Sequence, residues 1–494
     1  MSDNPIQLMK WQKNGMAQVL EDIAKLTTGS LTIRGSIVVG PPGTGKSTFI
    51  NALVGEINKL HPQLTVEVTA TTGAAASRIS GGKTMASWLS IGADAMKLHH
   101  LDEIQKIVID RNPQRIHNTD ILIIDEVSMF SQRQFDNLST LIRRIRRNPV
   151  AFGGIYVILV GDPFQLPPCP HDGYGGGVAR KEKEFVESCL ESQIDGFNYI
   201  VANEMKRAEH SSELRNMLLQ LIQPDAAIRE KAMQTLIKHC YKGELDVDNA
   251  LDIQQEKGSI ILSTVKEGEY SVAHYNAVAK KRAESDDKCS IINIPPAVKL
   301  HDETTSPILE RIGGKKGLRC EEDCLKERDG WSADKTILTG VPCMVRMNME
   351  TPEGVKVVNG DMGEIVTIDQ VSGDTRFYLY RYKRVVTIPR FKFTSEWEPR
   401  IGYEACPVIP ASAVTVHKAQ GATLPSGIIF ETRRIYTGEY LVHMLYTAFS
   451  RVKNIKDIRN TSFLLSGQLS LPAIQEKLED IWKLPYMKDY LRPE

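Results

Sequence analysis

Residues 40–48 read GPPGTGKST, directly behind the apolar run Ile37-Val38-Val39. Gly40, four residues, then Gly45-Lys46-Ser47 is the spacing of a phosphate-binding loop. Glycines let successive backbone N–H groups curl around an oxyanion, and a helix starting there turns its positive end towards it. Gly40, Gly43, Thr44, Gly45, Lys46, Ser47 and Thr48 thus form a cradle for the phosphates of a nucleotide. Lys46 supplies charge to the β- and γ-phosphates, and the Ser47 hydroxyl ligates Mg²⁺. The stretch ILIIDE (121–126) is an apolar strand ending in two carboxylates. Asp125 there reaches the Mg²⁺ through water, and Glu126 orients or deprotonates the attacking water. In VILVGDPFQLPP (157–168), Asp162 and Gln165 follow another strand, where a glutamine can hydrogen-bond a γ-phosphate and report its loss.

These residues need a scaffold that brings several strand ends together. Short β-branched runs at Ser36–Val39, Val66–Ala70, Ile121–Ile124 and Tyr156–Val160 predict buried parallel strands. Helical segments fall between them, at Ser47–Asn58 and Arg133–Arg147, which is the alternation of an α/β nucleotide-binding domain. A second set follows: strands at Ser259–Thr264, Ala413–Val416 and Gly427–Phe430, helices at Tyr270–Arg282 and Glu439–Phe449. Residues 297–335 read as a polar, loop-rich insertion, and 337–395 as short strands broken by turns, a small antiparallel barrel.

The 494 residues are 41% hydrophobic and 25% charged, a globular composition with no apolar stretch of membrane-spanning length and no export or transit signal at the start. The eight cysteines form no framework, which fits a reducing compartment; Cys320 and Cys324 are read as unpaired thiols in a loop. With 61 basic against 61 acidic side chains, any nucleic acid must be met by local patches. Candidates are Arg143, Arg144, Arg146 and Arg147; Arg311, Lys315, Lys316 and Arg319; and the aromatic–basic stretch FYLYRYKR (377–384). A charge run is more often a solvated face, and FYLYRYKR is equally one or the other. Phe130 and Trp88 are read as core.

The order of these stretches resembles motifs I, II and III of superfamily 1 helicases, and later segments continue the series. NEMKR (203–207) resembles the motif IV region, AVTVHKAQGATL (413–424) motif V and LYTAFSRVKN (445–454) motif VI. TATTGAAASRISGGKT (69–84) is similar to motif Ia and its neighbour. Within the superfamily the sequence is most similar to the Pif-type (petite-integration-frequency) DNA helicases, which also resemble RecD. IIDEVSMFSQRQFDNLSTLIRRIRR, FGGIYVILVGDPFQLPP, TGVPCMVRMNME with VVNGDMGEIV, and YEACPVIPASAVTVHKAQGATL carry that likeness over roughly residues 8–460, weakly at 170–200 and 285–335. One departure is Thr84-Met85-Ala86-Ser87, where the family has a Thr-Ile-His-Ser run.

The resemblance implies two RecA-like parallel-sheet domains with ATP between them. Residues 1–200 would be the first, with a wedge insertion over about 87–118; 201–296 and 396–494 the second; 297–395 an insertion holding an SH3-like barrel. Gln12 would recognise adenine and Gly421 would join the nucleotide site. Arg207 and Arg451 would stabilise the transition state, with Arg451 as arginine finger. Thr71, Thr72, Thr84, Ser87, Thr415, His417 and Lys418 would hold single-stranded DNA by its phosphates, which suits movement without base readout. The implied activity is 5′→3′ unwinding of duplex or forked DNA driven by Mg·ATP, by a soluble intracellular monomer of nucleus or cytoplasm. An RNA helicase of the same superfamily, or a nucleotide-switched DNA-binding scaffold with slow hydrolysis, remain the alternatives.

Overall fold

The computed structural model describes residues 7–27, 35–76, 79–91, 101–168, 196–205, 212–240, 245–286, 290–293, 298–299, 336–347, 349–357, 360–394, 402–421, 424, 427–435, 438–460 and 466–491. Arg207, Cys320, Cys324, the cluster at 311–319 and residues 300–335 of the expected insertion lie outside them. The chain divides into two compact units, 1–245 with 419–494, and 246–418.

The first unit is built on six parallel strands: β1 (Gly35–Val39), β2 (Val66–Ala70), β3 (Lys83–Thr84), β4 (Ile121–Asp125), β5 (Tyr156–Gly161) and β6 (Phe197–Val201). Their order is β3-β2-β4-β5-β1-β6. β1, β4 and β5 are buried along their whole length, as strands covered on both faces must be. Register pairs Ala70 with Asp125, and Val39 with Gly161, so the chemistry-bearing loops leave β1, β2, β4 and β5 at one edge. Ligands of open α/β sheets bind at that carboxyl edge.

Helices α1 (Lys10–Thr27) and α2 (Lys46–Leu60) pack Trp11, Val19, Ile23, Phe49, Leu53 and Ile57 against strand residues such as Val38, Ile123 and Ile158. A buried polar bond set fixes α1. The Asp22 carboxylate accepts from the Tyr156 hydroxyl (3.0 Å) and the Asn198 amide (2.7 Å). Among the described residues, no helix is long and apolar enough to cross a membrane.

The expected strands agree with β1, β2, β4 and β5 to within a residue at either end. Two strands have no counterpart in that reading. β3 is only two residues, and β6 (FNYIV) interleaves polar and apolar side chains.

In the second unit, strands 342–345, 362–368, 375–379, 384–388 and 408–410 form a five-stranded antiparallel sheet. Its core is Cys343, Val345, Val357, Ile365, Phe377, Leu379, Val386 and Val408. The last strand lies beyond residue 395, so the sheet is larger than the expected barrel segment. In FYLYRYKR the pleat decides exposure: Phe377 and Leu379 point inward, Tyr378 outward. Arg381 lies over the exposed Tyr382 ring at 4.6 Å and pairs with Asp361 at 2.8 Å. A parallel strand pair, 260–263 with 413–415, sits beside helix Val272–Glu284, whose Asn276 bridges to Ala413.

Candidate functional site

The phosphate loop follows β1 as expected. Gly43 and Gly45 have φ of +84° and +80°, where a side chain would be strained. A Cβ on Gly40 would lie 2.6 Å from the Ala202 carbonyl oxygen, so only glycine lets the loop approach that segment. α2 starts at Lys46 without a side-chain cap, leaving its first turn to meet an anion. Lys46 Nζ donates to the carbonyls of Gly40 (2.6 Å) and Pro41 (3.0 Å), and the buried Thr44 hydroxyl donates to Pro41 O (2.9 Å). The loop therefore keeps the shape of a phosphate cradle by its own bonds. Ser47 and Thr48 stand half-buried in the first turn of α2.

Gln12, on α1, is 2% exposed and held at both ends of its amide. Its Oε1 accepts from the Met9 amide (2.8 Å), and its Nε2 donates to Gly45 O (2.9 Å). The structure thus brings Gln12 to the loop.

At the end of β4, Asp125 is buried and accepts the Glu126 amide at 2.9 Å. Glu126 has φ +55°, a left-handed backbone that costs energy in a non-glycine residue and turns it out of the strand line. Its Oε2 accepts from Gln420 Nε2 at 3.2 Å. Gln420 is fully buried, and a Cβ added to the next residue, Gly421, would lie 3.6 Å from Glu126 Oε1. Gly421 thus lies by the carboxylate expected to activate water. Gln420 joins it there, although the sequence reading passed over it.

Past β5, Asp162 is 1% exposed and receives four donors. The Phe164 amide (3.1 Å) and Tyr490 hydroxyl (3.0 Å) reach Oδ1; the Tyr446 hydroxyl (3.1 Å) and Gln165 Nε2 (3.3 Å) reach Oδ2. Burial pushes this carboxyl up, against the Lys46 charge and the donors, which pull it down. Arg451, 2% exposed, anchors its Nε on Thr447 O (2.8 Å) and reaches Gln165 Oε1 with Nη2 at 3.5 Å. Arg451 and Gln165 are therefore neighbours.

The expected strand-holding residues fall into two sets. In the first unit Thr71 Oγ1 donates to Glu126 O (3.0 Å), Thr72 Oγ1 accepts from the Ala75 amide (3.2 Å), and Thr84 Oγ1 caps the helix 85–89 through the Ser87 amide (3.1 Å). Ser87 is exposed, while Trp88 and Phe130 are core. Arg115 grips the Ser87 carbonyl at 2.7 Å, which ties helix 113–118 to this segment. Arg144 pairs with Asp102, and Arg146 donates to the carbonyls of Ile116, His117 and Thr119. Two of the four clustered arginines thus fasten the helices between 101 and 118.

In the second unit Thr415 Oγ1 accepts from the Lys418 amide at 3.3 Å. Burial, then the Lys266 charge, lowers the half-buried His417. Lys418, whose chain still reaches solvent, is brought down to about 8 by desolvation and by Arg346 and Lys266. Lys266 and Arg346 thus join the expected pair; no motif spacing marks them. Among the described residues no group of His, Cys, Asp and Glu has the arrangement of a protein-only metal site. A hydroxyl at Ser47 and a buried carboxylate at Asp125 are instead the donors that suit a Mg²⁺ held jointly with nucleotide phosphates.

The parallel sheet, its loop after β1 and the acidic end of β4 define a P-loop nucleotide-binding protein with a RecA-like core. Residues 7–195 match the model of the PIF1-like helicase family. It is 37% identical over 157 residues to the ATP-dependent DNA helicase RRM3 of Saccharomyces cerevisiae, covering 31% of this chain and 20% of that protein. It is 25% identical over 439 residues to the ATP-dependent DNA helicase PIF1 of Xenopus laevis, covering 88% of this chain and 60% of the relative. The chain thus spans three fifths or less of the length of these curated relatives. The fold matches the crystal structure of the Pif1 helicase from Candida albicans with a TM-score of 0.67, covering 94% of this chain and 97% of that one at 19% identity.

Proposed function

We propose that this chain is an ATP-dependent DNA helicase that moves 5′→3′ on single-stranded DNA and parts a duplex or fork. The observation that carries the reading is the gathering at one sheet edge of a phosphate loop, Glu126 under Gln420, and Gln165 beside Arg451. ATP would lie in the cradle of 40–48 with Gln12 against its base. Ser47 and Asp125 would hold Mg²⁺, which screens the phosphate charge when bound. Glu126 would take the proton of the attacking water, and Gln165 would contact the γ-phosphate. Arg451, with Arg207, would meet the charge that develops in the transition state. Thr71, Thr72, Thr84 and Ser87 in one unit, and Thr415, His417 and Lys418 in the other, would grip a single strand by its phosphates. Hydrolysis would then ratchet that strand.

The test is ATP turnover with Mg²⁺, with and without single-stranded DNA. Lys46→Ala should lower DNA-stimulated kcat by about a thousandfold or more while leaving DNA affinity within about twofold. Turnover that survives Lys46→Ala would overturn the site assignment. Stimulation by single-stranded RNA and not DNA would transfer the reading to RNA.

A further inference from the structure

We infer that Tyr490, outside the stretch whose motifs carry the family likeness, is a positioning residue for ATP hydrolysis: with Tyr446 it fixes Asp162, and Asp162 aims Gln165. This rests on the reading of the phosphate loop and Gln165 as an ATPase site.

Gln165 has an amide with two different ends, and only one of them can meet a phosphate oxygen as a donor. In the structure Nε2 is given to Asp162 Oδ2 at 3.3 Å and Oε1 faces Arg451 Nη2 at 3.5 Å. The direction of that amide is thus set by where the Asp162 carboxylate points. Two phenols set it: Tyr490 holds Oδ1 at 3.0 Å and Tyr446 holds Oδ2 at 3.1 Å. Without the Tyr490 hydroxyl, Oδ1 keeps only the Phe164 amide at 3.1 Å, and the carboxylate gains freedom to turn.

The segment bearing Tyr490 is seated for this purpose. Phe164, between Asp162 and Gln165, is fully buried, with the Trp482 and Tyr490 rings each 5.4 Å from its own. Trp482 is pinned by its indole N–H to Ile222 O at 2.8 Å. Tyr486, a turn earlier on 485–489, packs on Tyr199 of β6 with ring centres 5.1 Å apart. The segment therefore bridges the edge strand next to β1 and the loop after β5. Among the described residues, Lys46, Tyr446, Tyr490, Arg451 and His443 bring charged or titratable groups to that loop, and His443 Nδ1 lies 3.0 Å from Gln165 O.

The experiment uses the full chain with Tyr490→Phe, Tyr446→Phe and, as the control on the same segment, Tyr486→Phe. For each, DNA-stimulated kcat, the KM for ATP, the affinity for a fluorescent ATP analogue and Tm are measured. Tyr490→Phe should lower kcat roughly tenfold with KM and nucleotide affinity within about twofold, since an aim is lost and not a binding contact. Tyr446→Phe should do the same, and Tyr486→Phe should leave kcat unchanged. If Tyr490→Phe proves unstable, Tyr446→Phe carries the same expectation. Unchanged kcat in both phenol variants, while Lys46→Ala still abolishes turnover, overturns the inference and spares the ATPase reading. Equal losses in Tyr486→Phe and Tyr490→Phe also overturn it, because docking alone would then explain them. Wild-type protein without turnover sensitive to Lys46→Ala removes the ATPase reading and this inference together.

Discussion

Asp162 and Lys418 are both crowded charges, and the fold treats them in opposite ways. Asp162 is wholly buried, yet four donors converge on its two oxygens. Lys418 sits near two more cations, Lys266 and Arg346, and its ammonium is driven down to about 8. The first charge is completed inside the protein. The second is disfavoured first by desolvation and then by the charges of Arg346 and Lys266. The difference separates a charge satisfied within the fold from one disfavoured by its surroundings, which the proposed function reads as a place for a DNA phosphate.

The two sites should fail differently. The largest effect belongs to Asp162→Ala, which strands two tyrosines and a glutamine beside an apolar gap. It should cost about 3–5 kcal/mol of stability and lower Tm by several degrees, with or without DNA. A Tm within one degree of wild type would show that the network carries little. Lys418→Ala should leave Tm within about a degree of wild type or raise it, while lowering affinity for single-stranded DNA about tenfold. The slope of log affinity against log salt should flatten by about 0.7 for the lost phosphate contact. An unchanged slope would remove Lys418 from the DNA interface.

The smallest effect is the dependence on pH. A phosphate favours the charged ammonium, so this contact is fully present below about pH 8 and is lost as pH rises past it. His417, lowered from its usual range, is already neutral there. Single-stranded DNA affinity should therefore fall several-fold between pH 7.5 and 9, and Lys418→Arg should abolish most of that fall. A fall of equal size in Lys418→Arg would place the titrating group elsewhere.

How legible each part was follows from the range of the forces involved. The strands β1, β2, β4 and β5 are local apolar runs, and the phosphate loop is nine consecutive residues, so composition and spacing suffice. Glu126, Gln165 and Arg451 stand in stretches whose order is distinctive. Gln420 meets Glu126 across 294 residues, and Tyr490 meets Asp162 across 328. No periodicity encodes such pairs; they arise when the chain closes on itself. Lys266 and Arg346 were missed for a related reason, because each looks like an ordinary surface cation until His417 and Lys418 arrive beside it. The arginine cluster at 143–147, read from the sequence as a candidate patch but more often a solvated face, has internal partners that its spacing does not reveal. Arg146 donates to carbonyls at the end of helix 113–118.

Strand displacement on two partial duplexes, one with a 5′ tail and one with a 3′ tail, each with Mg·ATP and beside Lys46→Ala, bears on the central claim most directly. Unwinding of the 5′-tailed duplex alone, absent in Lys46→Ala, is the predicted result. Unwinding from the 3′ tail alone, or equal unwinding by Lys46→Ala, would contradict it.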